Sequence, residues 1–341
     1  MYENQKPCVG IILGDPAGIG PEIVLKLLLR PSTYAFARPI LIGNYELLCQ
    51  MAHRMGSELF FTPTTLEHLA DGVEENAFLS GIPVVDIGGE AGGVELGKVS
   101  AAAGSIAYHS IRMGYRMLEL GLIGGLIMGP INKQALALSG HGFASEYELF
   151  AELAGVSHVQ SVVKGGSIIR STVIGHVPFR KIVELLTVER IVDTGLGLHH
   201  VLCRMMDTKP HICIAALNPH GGEGGILGEE ESEIIYPAVV EMRRLGVNID
   251  GPYPGDTIYA RAISGGYDGI IYLYHDQGNI AMKAKMFETT ALIYTNVPYP
   301  ILSTGHGSAM DIAQLGIANP TNICTVMSTL TTIMQRHVME E

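Results

Sequence analysis

Val9-Gly10-Ile11-Ile12-Leu13, Gly14-Asp15-Pro16-Ala17-Gly18-Ile19-Gly20 and Pro21-Glu22-Ile23-Val24-Leu25-Lys26-Leu27-Leu28-Leu29 follow one another directly: an apolar run, a turn and a helical run. The first run is short and aliphatic, the pattern of a strand buried on both faces of a parallel sheet. Pro21 stands at the first helical position, where its missing N–H goes unused, and Glu22 meets the positive end of the helix dipole. The loop is therefore a strand-to-helix turn at a helix N-terminus, a natural seat for anionic ligand groups. Its glycine spacing is not the dinucleotide fingerprint, and Gly222-Glu223-Gly224 also misses it, with Leu227 where the third glycine belongs.

The same alternation continues outward along the chain. Strands are expected at residues 9–13, 39–42, 84–87, 125–128, 161–163, 171–174, 212–217, 269–273 and 291–295, and helices at 21–29, 100–120, 146–153, 188–206, 229–245 and 321–337. Repeated βα units of this kind give an α/β fold with a mainly parallel sheet. The 341 residues exceed one ordinary hydrophobic core, so two domains are expected. No internal repeat or linker marks a boundary, which suggests interwoven domains: 1–130 plus 281–341, and 131–280, the chain crossing near Gly129-Pro130 and returning near Ala281.

Composition excludes several classes of function. Apolar residues make up 47% and charged residues 16%, the balance of a compact globular protein. A formal charge of −12 without clustered Lys and Arg argues against nucleic-acid binding. No apolar run is long enough to span a bilayer, and the opening residues 1–7 lack a signal-peptide pattern, so a cytoplasmic location is expected. Cys8, Cys49, Cys203, Cys213 and Cys324 are odd in number and widely spaced, and read as free thiols rather than a disulfide framework or a metal knot.

Three histidines stand just beyond apolar runs in short glycine- or proline-marked segments: Gly175-His176-Val177-Pro178, Asn218-Pro219-His220-Gly221 and Tyr274-His275-Asp276-Gln277-Gly278. In parallel sheets the carboxyl ends of strands are where ligands collect. Neutral imidazoles suit Zn²⁺, Co²⁺, Ni²⁺ or Mn²⁺, and three protein ligands leave a coordination position open for substrate. Each histidine alone is more often a satisfied structural residue than a ligand; together they read as a divalent-metal site.

Gly14 to Glu22, Gly129-Pro-Ile-Asn-Lys133, His176-Val-Pro-Phe-Arg180, Leu217-Asn-Pro-His-Gly-Gly-Glu-Gly-Gly225, Gly251-Pro-Tyr-Pro-Gly-Asp-Thr257 and Tyr274 to Gly278 form one set. In order and spacing it resembles the 4-hydroxythreonine-4-phosphate dehydrogenase (PdxA) family, from about Cys8 to Asn319. The resemblance implies a three-layer α/β/α fold like that of isocitrate and isopropylmalate dehydrogenases, with a cleft between two interwoven domains. It implies a homodimer in which one metal (Zn, Co, Mn, Ni or Mg) is held by His176, His220 and His275 in a site shared between subunits. It implies NAD, with NADP as the other candidate, bound through His306-Gly307-Ser308-Ala309-Met310-Asp311: backbone around Gly307 and Ala309 at the pyrophosphate, Asp311 on a ribose hydroxyl, His306 and Asn319 near the adenine. The competing reading of His306 is a turn histidine capping the next helix.

The chemistry so implied is oxidation of a metal-bound hydroxyl with hydride transfer to the nicotinamide, then loss of carbon dioxide from the resulting β-keto acid. Asp256 and Asp276 are candidates to orient imidazoles or move the hydroxyl proton, or are turn-capping aspartates. Lys283 matches the family's substrate lysine, to hold a carboxylate or deliver a proton, and Lys133 is a weaker candidate of that kind. Two places depart from the family. Glu146 and Tyr147 stand in the substrate grip where the family has His-Thr, and Leu292 and Ile301 stand where it has an asparagine and an arginine for phosphate. Losing a permanently charged, bidentate partner while gaining an acid disfavours a phosphate dianion. Expected is therefore a decarboxylating dehydrogenase of a hydroxy acid or cis-diol carboxylate lacking phosphate, akin to the branch with terephthalate cis-dihydrodiol dehydrogenases. The alternatives are the 4-hydroxythreonine-4-phosphate enzyme of pyridoxal phosphate synthesis and a binding module without catalysis.

Overall fold

The chain divides into two compact units, residues 1–159 with 297–335, and residues 160–296 with 336–341. The structure, a computed structural model, describes residues 6–71, 81–286 and 289–337; residues 1–5, part of the opening read as leaderless, lie outside these. Its strands are β1 (Cys8–Ile12), β2 (Arg38–Gly43), β3 (Phe61–Thr64), β4 (Ile82–Asp86), β5 (Gly125–Met128), β6 (Gln160–Gly165), β7 (Ile168–Ile174), β8 (His211–Ala215), β9 (Asn248–Tyr253), β10 (Gly269–Tyr274), β11 (Thr290–Thr295) and β12 (Ile301–Thr304).

In the first unit the strands run β3-β4-β2-β1-β5-β12, all parallel. Successive residues of a strand face opposite sides of a sheet. On β5 a Cβ at Gly125 would meet Leu330 of the helix Thr321–His337, whereas Leu126 meets Gly114 of the helix Ala101–Glu119. Helices thus cover both faces of a three-layer α/β/α unit. The aliphatic strands are its core: Val9, Ile11, Ile12, Ile40, Leu41 and Ile42 are wholly buried. Each such side chain contributes roughly 2 kcal/mol of hydrophobic stabilisation.

In the second unit the order is β11-β6-β7-β10-β8-β9, with β6 antiparallel to both neighbours and the remaining pairs parallel. A Cβ at Gly269 of β10 would meet Leu198 and Leu202 of the helix Val188–Cys203, and on the other face Tyr272 lies against Gly278 of the helix His275–Met286. The layering is the same.

The units divide after Val159 and before Val297, later at both crossings than the 130/131 and 280/281 boundaries the sequence suggests. Two contacts explain this. The helix Lys133–Leu138 lies so close to Ala101–Glu119 that a Cβ on Gly104 would be 1.9 Å from the Ala135 carbonyl oxygen, which keeps that stretch in the first unit. β11 pairs along its length with β6, from Thr290↔Gly165 to Thr295↔Gln160, which keeps it in the second.

Three strands escape the periodicity argument. β3 contains Pro63 and β9 contains Pro252, and both are terminal in their sheet orders, where a missing N–H is tolerated; β12 has only four residues. The helix expected over 229–245 is instead a π-turn, Glu231–Ile235, followed by the α-helix Tyr236–Arg244. Pro237 has no N–H to donate four residues back, so the ladder changes there. None of the five cysteines is in a disulfide. Among the described residues no helix is long and apolar enough to cross a membrane.

Candidate functional site

The three candidate metal ligands follow three strands that are neighbours in the second unit, in the order β7-β10-β8. His176 comes two residues after β7, His275 directly after β10, and His220 in the loop leaving β8. The rings of His176 and His275 lie 4.8 Å apart, and Phe179 packs edge-on against Tyr274 at 5.8 Å, joining the two segments. Asp276 Oδ1 lies 2.7 Å from His275 Nδ1 and Glu223 Oε1 lies 3.3 Å from His220 Nδ1. The hydrogen bond from His275 Nδ1 to Asp276 fixes the His275 tautomer and leaves its Nε2 for a metal. The donor set fits a divalent metal of borderline softness. One chain does not gather the set, however: among its described residues no three His, Cys, Asp or Glu side chains are grouped to hold a metal.

His220 sits in a rare backbone. Five consecutive residues, His220 to Gly224, have φ values of 54, 72, 79, 47 and 68°, the left-handed region. Glycine occupies it freely, but His220 and Glu223 each carry a steric penalty of about 1–2 kcal/mol. Such outliers persist where surroundings over-determine them. Here Glu231, only 3% exposed, does so: its Oε1 accepts from the backbone N–H of Leu217 (2.9 Å) and Asn218 (2.7 Å), and its Oε2 from Asn218 Nδ2 (2.9 Å). Gln277 ties the same loop to β10, accepting from Leu273 N–H at 2.9 Å and donating to the Ala216 carbonyl at 2.8 Å.

In the first unit the loops leaving β1, β5 and β12 interlock. Asp15 N–H donates to the Pro130 carbonyl (2.9 Å), Ile19 N–H to the Ser308 carbonyl (2.9 Å), and Asn132 Nδ2 lies 3.4 Å from Ser308 Oγ. Asp15 is 1% exposed; its Oδ1 accepts from Ala17 N–H at 2.8 Å, while Oδ2 is buried and has no hydrogen-bond partner among the described residues. Burial pushes its carboxyl up to about 6, against the lowering effect of the Ala17 N–H. The helix Gly20–Leu28 also holds the segment after Asp311. Glu22 Oε1 accepts from Ala318 N–H at 2.7 Å and from Lys26 Nζ at 2.7 Å, and Lys26 donates to the carbonyls of Gly316 and Ala318.

Within this frame Gly307 is exposed with no described residue within 4 Å of a would-be Cβ, and Ala309 has φ 41°. Asp311 is exposed. Open backbone at the carboxyl end of a parallel strand beside an available carboxylate fits a nucleotide. His306 Nδ1 lies 2.9 Å from the Gly307 carbonyl, within its own turn, and Asn319 Oδ1 accepts from Thr321 N–H at 3.0 Å, at the start of the helix Thr321–His337.

The other predicted positions are spread over the two units. In the first, Glu146 (9% exposed) and Tyr147 open the helix Glu146–Ala154, and Lys133 Nζ lies over the Tyr147 ring at 5.7 Å. Ile301, in β12, is 0% exposed. In the second, Asp256 is exposed in the first turn of Gly255–Arg261, Lys283 is exposed on His275–Met286, and Leu292 is half-buried in β11. Glu231, Gln277 and Asp15 carry no role in the sequence reading. Asp15 and Gln277 lie inside quoted motifs, but Glu231, in an acidic run, looks like a solvated helix start.

A family model described as pyridoxal phosphate biosynthetic protein PdxA matches residues 35–329. A protein of Symbiobacterium thermophilum provisionally named a D-threonate 4-phosphate dehydrogenase is 33% identical over 320 residues, 94% of each chain. The crystal structure of 4-hydroxythreonine-4-phosphate dehydrogenase from Klebsiella pneumoniae superposes with a TM-score of 0.85 at 29% identity, over 98% of this chain and 100% of that one. That of a terephthalate 1,2-cis-dihydrodiol dehydrogenase from Burkholderia xenovorans gives 0.66 at 24% identity, over 96% and 98%, a likeness of fold.

Proposed function

The chain belongs to the pyridoxal phosphate biosynthetic protein PdxA family, and from that premise we propose that it is a cytoplasmic, homodimeric, NAD- and divalent-metal-dependent dehydrogenase that oxidises and decarboxylates a small hydroxy acid lacking phosphate. It is an oxidoreductase acting on a hydroxyl group. The single observation behind the metal assignment is that His176, His275 and His220 leave three adjacent parallel strands. Such a metal, when bound, acidifies a coordinated substrate hydroxyl and polarises the adjoining oxygen. NAD, when bound, takes the hydride.

This chain's residues orient and move protons. Asp276 holds His275 in one tautomer by accepting a hydrogen bond from Nδ1, while Glu223 lies 3.3 Å from His220 Nδ1. Lys283 holds the substrate carboxylate or returns a proton once carbon dioxide has left, and Asp256 is the second candidate to take the hydroxyl proton. Exposed Asp311 accepts from a ribose hydroxyl and disfavours a 2′-phosphate, so NAD is preferred to NADP. Exposed apolar side chains beside each histidine support a homodimer: Phe179 (76%) after His176, Ile226 (83%) after His220, Ile280 (70%) after His275. A second copy would cover them. With His176 and His275 adjacent and His220 not grouped with them, a triad completed by the partner copy fits.

The substrate class follows from Ile301, a wholly buried aliphatic residue where the resemblance places the family's phosphate-binding arginine. Glu146 adds a carboxylate nearby in sequence to Lys133, and one lysine suits a carboxylate better than a dianion. The second reading is a phosphorylated hydroxy acid, favoured by the names of the relatives above. NAD reduction with Zn²⁺ or Mn²⁺ is to be compared on D-threonate, a cis-diol carboxylate, D-threonate 4-phosphate and 4-hydroxythreonine-4-phosphate. Turnover of a non-phosphorylated acid at a kcat/KM at least tenfold above the phosphates is expected; efficient turnover of the phosphates alone sinks the proposed substrate class.

A further inference from the structure

We propose that Gln277 is a positioning residue: one side chain that sets, within each subunit, where the His220 loop stands relative to the His275 helix. This rests on the metal reading above and adds to it a residue that touches neither substrate nor metal.

The geometry is local and complete. Gln277 lies two residues after His275, in the first turn of the helix His275–Met286. Its amide oxygen accepts from the backbone N–H of Leu273, near the end of β10, at 2.9 Å, and its amide nitrogen donates to the carbonyl of Ala216, just beyond β8, at 2.8 Å. Both ends of the amide are therefore engaged, and each is engaged by a different strand exit. The third side is filled: a Cβ on Gly255, which opens the helix carrying Asp256, would lie 2.8 Å from Gln277 Nε2. Gln277 thus joins the segments bearing His275, His220 and Asp256.

Only a glutamine meets these demands. The Leu273 N–H needs an acceptor and the Ala216 carbonyl a donor, from one planar group of fixed reach. A glutamate in its place would turn a lone pair toward the Ala216 carbonyl, and an asparagine would be too short to span the two exits. The Ala216 contact matters because the chain beyond it turns into the left-handed run at His220 to Gly224, whose start Glu231 also holds, at Leu217 and Asn218. Asn279 supports the same helix turn from within, donating to the His275 carbonyl at 3.0 Å and accepting from Arg170 Nη2 at 2.5 Å. Side chains hydrogen-bonded to a ligand typically govern metal affinity by roughly 10–100-fold, and Gln277 acts one step further back, through the backbone of the segments that carry two of the ligands.

Cobalt(II) provides the test, since its visible absorption reports coordination number and symmetry directly. Wild type, Gln277→Glu and Gln277→Met are titrated with Co²⁺, recording affinity, stoichiometry and spectrum, with thermal unfolding of the metal-free proteins in parallel. The glutamate variant keeps size and one hydrogen bond; the methionine variant keeps length and neither. Expected is one Co²⁺ per chain in wild type, affinity weakened at least tenfold in both variants, and an altered d–d spectrum, with folding transitions retained. Wild-type affinity and spectrum in both variants would overturn the role of Gln277 while leaving the metal site standing. A wild type that binds no Co²⁺ would overturn both.

Discussion

The two units carry their candidate sites at the same place, the carboxyl ends of parallel strands, yet build them from opposite materials. In the first unit the material is backbone. Cβ atoms at Gly14, Gly18, Gly20 and Gly129 would lie 2.6, 2.6, 2.0 and 2.5 Å from carbonyl oxygens of facing segments, so the loops after β1, β5 and β12 leave no room between them. In the second unit the material is side chain. Cβ atoms at Gly221, Gly224 and Gly225 would have no described residue within 4 Å, and the histidine segments are set by Glu231, Gln277 and, at His275, Asp276. A nucleotide's pyrophosphate asks for open N–H groups at a fixed surface, which close-packed backbone supplies within one chain. A metal asks for converging side chains, which can come from two chains.

The contrast is tested most severely at Gly20. Its Cβ would stand 2.0 Å from the Leu13 carbonyl oxygen, backbone that cannot retreat without moving β1. Gly20→Ala is expected to cost about 3 kcal/mol or more in urea unfolding, or to prevent folding; a loss under about 1 kcal/mol would show the first unit to be as compliant as the second.

Next comes Asp15, whose pKa of about 6 lies above the ordinary 3.8. A carboxyl raised on folding favours the protonated form, so its contribution is fully present below the ordinary value and is lost as pH rises through about 6. The ionised group then costs at most about 3 kcal/mol at neutral pH, from about 1.4 kcal/mol per unit. Asp15→Asn, which keeps an acceptor for Ala17 N–H, should match wild type in stability near pH ~4 and exceed it by roughly 2 kcal/mol near pH ~7. A variant equally destabilised at both pH values contradicts the assignment.

The smallest effect is expected at Gly224, which has φ +68° but open space around it. Gly224→Ala should cost only about 1 kcal/mol, the strain of a left-handed alanine. A cost matching that of Gly20→Ala would mean that the His220 loop is packed as tightly as the nucleotide loops.

Much of this was legible in the sequence because it rests on local periodicity. The strand–turn–helix of Val9 to Leu29 reads directly, since aliphatic run, turn glycines and Pro21 each have a local cause. The histidines read as a set because each follows an apolar run, although that β7, β10 and β8 are neighbours is a property of strand order alone. Glu231 was opaque: a buried acceptor of two backbone N–H groups and a solvated helix acid look alike until the chain is folded. Gln277 sat inside a recognised motif, yet its two partners lie on separate strand exits. The unit boundaries do not read from the sequence, because the pairing of β11 with β6 and the approach of Ala135 to Gly104 are long-range contacts.

His176, His220 and His275 are proposed to hold one metal across two copies of this chain, and subunit complementation decides whether they do. His220→Ala and His275→Ala proteins are each assayed for bound Zn²⁺ and for the mass of the assembled species, then unfolded, mixed and refolded together. If the ligands come from both copies, each variant alone is a dimer binding Zn²⁺ at least ~100-fold more weakly, and the mixed dimer regains one tight site of the two, since one of its sites inherits all three histidines. If the mixed dimer regains none, or either variant alone keeps stoichiometric metal, the shared site is wrong.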